Sequence, residues 1–204
     1  MEPAPWIRPR VVGRHNFSPD KLDITLKGSS RDALVRLLND RPNDPSVEQG
    51  IRTVEAEYPA NLSQDGSLLA GVWELRWSSA SQPWLRQSPW LNNLQILDPS
   101  NRRACNLLML RGPLGALGGI SVEAELDAID ATRVAVRFLR GGWLGPQRPG
   151  EQAFKLMRDV KQSFPAWLDI TVLDQQLRIC RGNAGTTFAL LRREDKCIAD
   201  FLAN

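Results

Sequence analysis

The pattern of apolar residues divides the chain into a helical first part and a strand-rich second part. Between Ser30 and Tyr58, apolar side chains recur at the spacing of an amphipathic α-helix. From Gly71 onward, short segments alternate between apolar and polar residues, which is the period of a half-buried strand. The sequence therefore predicts two short helices followed by a sheet.

The two predicted helices lie on either side of Pro42. Ser29 or Ser30 caps the first helix, which ends before Pro42 because proline disfavours helical backbone in the residue that precedes it. The second helix ends at Pro59 and carries one apolar stripe, formed by Val47, Ile51, Val54 and Tyr58. We expect these helices to pack over an end or a flank of the sheet, with partner docking as the alternative.

The stretch 71–77 predicts the first strand of the sheet. Trp73, Leu75 and Trp77 alternate with charged or smaller residues, so we expect the three large side chains on one face. Gly71 allows a close backbone approach at a point where a Cβ atom would clash. We expect the later strands to close on this one.

Eight or nine short strands are predicted in all. Periodicity leaves residues 151–157 open between a strand and a short helix. Links of hairpin length are typical of a sandwich or an up-and-down barrel, and the scarcity of long crossings favours the barrel. The clearest later strands are residues 120–128 and 133–140 and a closing meander of 167–173, 177–181 and 186–192.

An aromatic barrel interior predicts a pocket for an apolar molecule. A concave, mostly apolar cavity with few polar groups is the usual site for such a ligand, and eight strands can enclose a small one. A filled core without a cavity is the alternative. The candidate wall residues are Trp73, Leu75, Trp77, Val122, Val134, Val136, Phe138 and Phe188.

Gly71, Trp73 and Arg181 are the candidates for closing one end of the barrel. Arg181 shares a strand face with Leu177 and Ile179, so we expect its guanidinium to point inward and stack on Trp73. Closure is preferred over ligand contact for Arg181. Of the two tryptophans in the first strand, Trp73 is assigned to closure and Trp77 to the pocket wall.

Two Pro-Trp-Leu units, at 83–85 and 89–91, interrupt the strand pattern. Tryptophan and leucine in a loop can form a lid over a pocket or an anchor at a membrane interface, where tryptophan is enriched. Ordinary packing over the barrel end is the alternative. The candidate lid or membrane residues are Trp84, Leu85, Trp90 and Leu91.

Composition and charge narrow the function classes. The chain of 204 residues, 42% hydrophobic, is long enough for one core and predicts a single domain. Its net charge of +3 is spread along the chain, which argues against nucleic-acid binding but suits contact with an anionic membrane. Three isolated cysteines indicate a reducing compartment. A secretory signal, a transit peptide and an apolar membrane span are not recognised, which predicts a cytoplasmic protein.

The residues of common catalytic sites are missing from the sequence pattern. The single histidine, His15, lies in the Pro- and Arg-rich segment 1–27, away from any partner for catalysis or metal binding. No Walker or dinucleotide-binding glycine pattern follows a predicted strand and opens a helix in this sequence. We therefore expect no enzymatic activity, no metal and no cofactor other than a bound lipophilic molecule.

Several stretches resemble the plastid lipid-associated protein (PAP/fibrillin) family. Residues 69–79 are similar to the motif of its first strand, and residues 95–106 to its next block. The most specific match is 168–188, whose Leu-Asp-x-x-Leu-Arg-Ile-x-Arg-Gly pattern resembles the closing signature of the family. Val172 departs from that signature, in which tyrosine is usual. The likeness covers roughly residues 30–192, and the unrecognised transit peptide suggests the cyanobacterial branch.

This resemblance implies a mainly β, lipocalin-like antiparallel barrel of about eight to nine strands after two short helices. We expect an N-terminal extended arm (1–27), a PAP/fibrillin domain (28–194) and a C-terminal tail (195–204). The family implies non-enzymatic binding or sheltering of a carotenoid, prenylquinone or other isoprenoid lipid. It also implies a position peripheral to thylakoid membranes or at lipid globules.

Two other functions stay open from the sequence. One is a membrane-docked scaffold for an enzyme of an isoprenoid or pigment pathway, which would use the Pro-Trp-Leu units or the helices. The other is chromophore handling by a barrel similar to bilin lyases, which requires an acid in the pocket. The predicted inward face carries no such acid.

Overall fold

A computed structural model describes residues 19–82, 85–145 and 154–202, with side chains from Ser30 onward except that of Ala116. Within these ranges the helices are α1 (Pro19–Asp40), α2 (Ser46–Glu57) and the single turn α3 (Leu62–Asp65). The strands are β1 (Gly71–Ser78), β2 (Leu91–Asp98), β3 (Arg103–Leu110), β4 (Gly119–Ala128), β5 (Arg133–Leu144), β6 (Lys155–Asp159), β7 (Ala166–Leu173), β8 (Leu177–Gly182) and β9 (Thr187–Arg192).

Eight of these strands close into an antiparallel barrel. Their order is β4-β3-β2-β1-β9-β8-β7-β5, and β5 pairs again with β4 to complete the ring. The first part of β5 pairs with β7 and its last part pairs with β6, so β6 is an extra strand outside the ring. The predicted barrel is confirmed, and the stretch 151–157 contributes the start of β6 at Lys155.

The first helix is longer than predicted. α1 begins at Pro19, so the prediction of an extended arm is wrong for residues 19–27, which are helical. Their apolar residues Leu22, Ile24 and Leu26 recur at every second position, so periodicity did not indicate a helix there. Residues 1–18, including His15, lie outside the described residues. Among the described helices, none combines the length and apolar character needed to cross a membrane.

The outer face of the barrel is covered in two places. α1 and α2 cover β7, β8 and β9 through a buried cluster formed by Leu34, Val35, Leu38, Val47, Ile51, Val54, Val172, Leu177, Ile179, Ala189 and Leu191. The segment 198–202 packs Leu202, Ile198 and Phe201 on the outer face of β1, β2 and β3. Part of the predicted C-terminal tail is therefore packed against the barrel wall.

A β-bulge in β1 reverses the direction of its side chains. Leu75 pairs with Leu190 and Trp77 pairs with Ala189, which leaves Arg76 as an extra residue. Leu75 therefore joins the inner core, whereas Trp77 packs against the helices on the outer face. Strict alternation had placed both residues on one face, which is the physical reason why that part of the prediction is wrong.

Trp73 and Arg192 close one end of the barrel. The indole of Trp73 is fully buried and its Nε1 donates a hydrogen bond of 2.9 Å to the carbonyl of Leu69. The guanidinium of Arg192 lies 4.3 Å from the centroid of that ring and donates to the carbonyl of Ala70 at 2.7 Å. At Gly71, φ is +144° and a Cβ atom would lie 2.1 Å from Arg192 Nη1. Only glycine fits this approach.

Glu74 is the centre of an ion-pair network that links α1 to the outer face of the sheet. This buried carboxylate accepts hydrogen bonds from Arg76 at 3.1 Å, Arg111 at 2.5 Å and Arg193 at 2.9 Å. Arg76 also donates to the carbonyl of Leu38 in α1, so the network ties the helix to the sheet. Burial opposes ionisation of Glu74, but the three arginines outweigh it and hold its pKa below the usual value.

We expect Gly71→Ala to lower the free energy of unfolding by about 1–3 kcal/mol, because it strains the backbone and displaces Arg192. Gly66→Ala is the matched control, since Gly66 has a φ of −55° and open space around its Cα. The control should be neutral or more stable by about 0.5 kcal/mol. Urea denaturation of both variants measures the difference, and equal effects would contradict the closure.

We expect the network around Glu74 to make stability depend on pH. Because the folded-state pKa of Glu74 is lowered, its contribution is present above about pH 4.5 and is lost as pH falls through the folded-state pKa. The stability difference between the wild type and Glu74→Gln should therefore shrink from pH 7 to pH 3. Urea denaturation of both proteins at pH 7 and at pH 3 tests this. The control is Glu48→Gln, which makes the same change at an exposed glutamate.

Candidate functional site

The barrel encloses a cavity of about 470 Å³ that is open at one end. Residues from all eight strands of the ring line it. At the deep end, Leu75 and Leu97 are buried, whereas Ile120 and Phe164 at the mouth are exposed. The alternative of a filled barrel interior is therefore wrong, and the lumen is a candidate ligand site.

Five of the predicted wall residues line the cavity: Leu75, Val122, Val136, Phe138 and Phe188. The β4 residues Val122, Ala124 and Leu126 point inward together, as their alternation predicts. The apolar lining is therefore supplied mainly by ordinary strand alternation. Whether these residues contact a ligand stays a prediction.

Three predicted wall residues lie elsewhere. Trp73 forms the closed end beneath the lumen, and Val134 is buried in the inner core without lining the cavity. Trp77 lies on the outer face against α1 and α2, so its assignment to the pocket wall is wrong. The bulge at Arg76 is the physical cause, because it turns the strand before Trp77 is reached.

The prediction of an inward Arg181 is also wrong. Its guanidinium donates to both carboxylate oxygens of Glu55 in α2, at 3.0 and 2.6 Å, and ties the helix to the outer wall. Arg181 does share a face with Leu177 and Ile179, but that face is covered by the helices. The guanidinium that stacks on Trp73 and binds the turn before β1 belongs to Arg192.

Sequence reasoning missed the polar groups of the lumen. Asn93 and Gln95 of β2 and Asn106 of β3 line the cavity, while Leu94 and Ile96 point outward to the C-terminal segment. The alternation that places these residues is visible in the sequence. The sequence does not show which of the two strand faces points into the lumen, because a polar strand face is normally assigned to solvent.

Arg178 of β8 lies beneath these polar groups. Its side chain is fully buried, and its guanidinium carbon is 5.1 Å from the centroid of the Trp73 ring. Nη2 donates a hydrogen bond to Gln95 Oε1. Burial lowers the pKa of Arg178 to about 10, and the positive charge of Arg192 acts in the same direction. Arg178 is therefore still a cation at neutral pH.

An apolar rim surrounds the mouth of the cavity. It consists of exposed large side chains at the strand ends and loops on that side: Trp90, Leu110, Leu114, Leu117, Ile120, Trp143, Phe154, Leu156 and Phe164. Such a concentration of exposed apolar groups at one end of a molecule is typical of a contact surface for lipid or protein.

The Pro-Trp-Leu units contribute to both the lumen and the rim. Leu85 lines the cavity, and Leu91 is the first residue of β2, paired with Leu110. Trp90 is 77% exposed, so the interpretation that it packs as ordinary core is wrong. Trp84 lies outside the described residues.

The wall between β5 and β7 is completed by a side chain at the mouth. Gln162, in the link before β7, accepts a hydrogen bond from the backbone N–H of Phe138 at 2.7 Å. Its Nε2 donates to the carbonyls of Val136 and Phe164. This amide therefore replaces backbone pairing where β7 no longer accompanies β5.

The cysteines do not form a reactive site in the described part of the chain. Cys105 and Cys180 are buried, and burial raises the pKa of both thiols, which keeps them protonated and weakly nucleophilic. Cys197 is exposed and donates to Asp200. Among the described residues, no group of three or more potential ligands could hold a metal ion.

Comparison with known proteins agrees with this architecture. A family model described as PAP_fibrillin matches residues 36–191. The chain is 28% identical over 182 residues to "Probable plastid-lipid-associated protein 12, chloroplastic" of Arabidopsis thaliana, across 82% of this chain and 42% of that protein. The chain thus spans less than half the length of this relative. No solved structure matches the present chain significantly. Because the family match extends from α1 to the last strand of the barrel, the chain belongs to the PAP/fibrillin family.

Proposed function

We propose that the barrel binds and shelters a hydrophobic small molecule without catalysing a reaction. The observation that carries this proposal is the open lumen, whose volume of about 470 Å³ lies within the range of ligand sites. The apolar wall supplies the affinity, since each Å² of apolar ligand surface removed from water contributes roughly 25 cal/mol. Gln95 and Asn106 supply hydrogen bonds that orient a polar head group.

The ligand class that we propose is a carotenoid, a prenylquinone or another isoprenoid lipid. The name of the Arabidopsis relative associates that protein with plastid lipids, and membership of the PAP/fibrillin family supports the same class here. The lumen accommodates one small ligand or one end of a long one. A longer chain would leave through the mouth, where Ile120 and Phe164 are exposed.

The apolar rim gives the mouth a lipid-facing side in this proposal. Insertion of Trp90, Leu114 and Phe154 into the interface of a thylakoid membrane or lipid globule would remove their surface from water. A ligand could then pass between lipid and lumen without crossing water. The protein would be peripheral to the membrane, with its closed end facing the aqueous side.

We expect the protein to bind the neutral probe N-phenyl-1-naphthylamine with enhanced probe fluorescence. Ala124→Phe fills the lumen at a lining position and should weaken binding at least about tenfold. Ala131→Phe makes the same change on the exposed turn at the closed end and should leave affinity unchanged. Folding of both is checked by circular dichroism. A wild type without probe binding, or equal affinities in the two variants, would contradict the proposal.

We expect the rim to anchor the protein to lipid vesicles. Flotation with phosphatidylcholine vesicles, with and without phosphatidylglycerol, should recover the wild type in the lipid fraction. Trp90→Ala combined with Leu114→Ala should reduce recovery several-fold because these exposed apolar groups are lost. Ile129 is a matched control, since it is 58% exposed at the opposite end of the barrel, and Ile129→Ala should float as the wild type does.

A further inference from the structure

Arg178 is a buried cation that lacks a counter-ion among the described residues. Its Nε and Nη1 have no hydrogen-bond partner in the described part of the chain. Within the described ranges, its guanidinium has a single acceptor, the neutral side-chain oxygen of Gln95. An uncompensated buried charge and an unpartnered buried donor both destabilise a folded protein. A group of this kind in a native structure indicates a missing partner or a functional role.

Arg192 shows how this protein satisfies an arginine whose role is structural. All three of its nitrogen atoms donate to carbonyl oxygens, those of Gln175, Ala70 and Leu68. It also lies closer to the Trp73 ring than Arg178 does, at 4.3 Å against 5.1 Å. Closure of the barrel end is therefore complete with Arg192, and it does not explain the charge of Arg178.

The guanidinium of Arg178 is connected to the lumen through Gln95. Gln95 lines the cavity, and its Oε1 accepts the hydrogen bond from Arg178 Nη2. β8 and β2 are separated in the ring by β9 and β1, so the Arg178 side chain reaches across the barrel interior. Displacement of the Gln95 amide would free Nη2, which together with the unpartnered Nη1 forms a two-donor edge of the guanidinium. A carboxylate accepts two parallel hydrogen bonds from such an edge.

We propose that the floor of the lumen binds the carboxylate of an acidic lipid, with Arg178 as its counter-ion and Gln95 as the displaced neutral ligand. This inference rests on the proposed function, because it requires the lumen to hold a lipid. The head is a monoanion, since the donors of the neighbouring Arg192 are already engaged. The apolar wall binds the chain, which belongs either to an isoprenoid acid or to a fatty acid.

Matched pairs of ligands test the charge of the head. Oleate and methyl oleate share one chain, and retinoate and methyl retinoate share an isoprenoid chain, while each ester keeps a carbonyl acceptor without the charge. Displacement of N-phenyl-1-naphthylamine measures all four affinities. We expect each acid to bind at least about tenfold more tightly than its ester, and the tighter of the two acids identifies the chain.

Two variants assign this preference to Arg178. In Arg178→Met the preference for the acids should disappear, the affinity for the esters should stay within about twofold, and thermal stability should not fall. Gln95→Glu gives Arg178 an internal carboxylate, so it should raise thermal stability and abolish the preference for the acids. Arg137→Met removes an exposed cation from the outer wall and should keep the preference.

The outcomes separate this inference from the proposed function. Absence of binding by the probe and by all four ligands would overturn both. Binding of acids and esters with equal affinity would overturn the inference and leave the lipid-binding function standing. A preference for the acids that persists in folded Gln95→Glu would also overturn it. If Arg178→Met does not fold, Gln95→Glu alone decides.

Discussion

The stacking of Arg192 on Trp73 is the contact on which the closed end of the barrel depends. Trp73 belongs to the first strand of the chain and Arg192 to the last, and these two strands are neighbours in the ring, so the contact joins the beginning of the barrel sequence to its end. A cation over an aromatic ring contributes about 0.5–1 kcal/mol at an exposed site and more as it is buried, and Arg192 is half-buried. It also requires a residue without a Cβ atom at Gly71, which fixes how the chain enters β1. Because this end is sealed by its own side chains, the opposite end is free to remain open.

Local pattern predicted the architecture well and the orientation of single residues less well. Alternation in β4 and in the closing meander placed Val122, Leu126 and Phe188 on the inner face. Trp77 was misplaced because a bulge adds one residue at Arg76, and a bulge leaves no clear mark in a single sequence. Arg181 was misplaced because periodicity groups residues by face without showing which face the helices cover.

The polar part of the site shows a second limit of reading the sequence alone. From the sequence, the polar residues Asn93, Gln95 and Asn106 would be assigned to the solvent-facing side of their strands, but in the structure they face the lumen. In an open barrel water reaches the inner face of a strand as well as its outer face. The polarity of a side chain therefore does not show whether it points into the lumen or away from it. The same holds for Arg178, which lies between the apolar residues Leu177 and Ile179 and points away from both. Only the closed ring shows that these distant strands meet.

One seam of the barrel wall relies on side-chain hydrogen bonds near the mouth. β4 and β5 are paired over ten residue pairs, whereas β5 and β7 share only the four pairs from Arg133 to Val136. Beyond Val136 the side chain of Gln162 bonds the backbone of β5, and the edge of β5 then pairs with Val160 and β6 instead of β7. Separating β5 from β7 beyond Val136 would break the hydrogen bonds of Gln162 but no ladder between these two strands, which costs less local free energy than separating paired strands. The closed end is thus sealed by side-chain contacts between paired strands, while the wall at the mouth contains a junction that is not zipped by a continuous ladder.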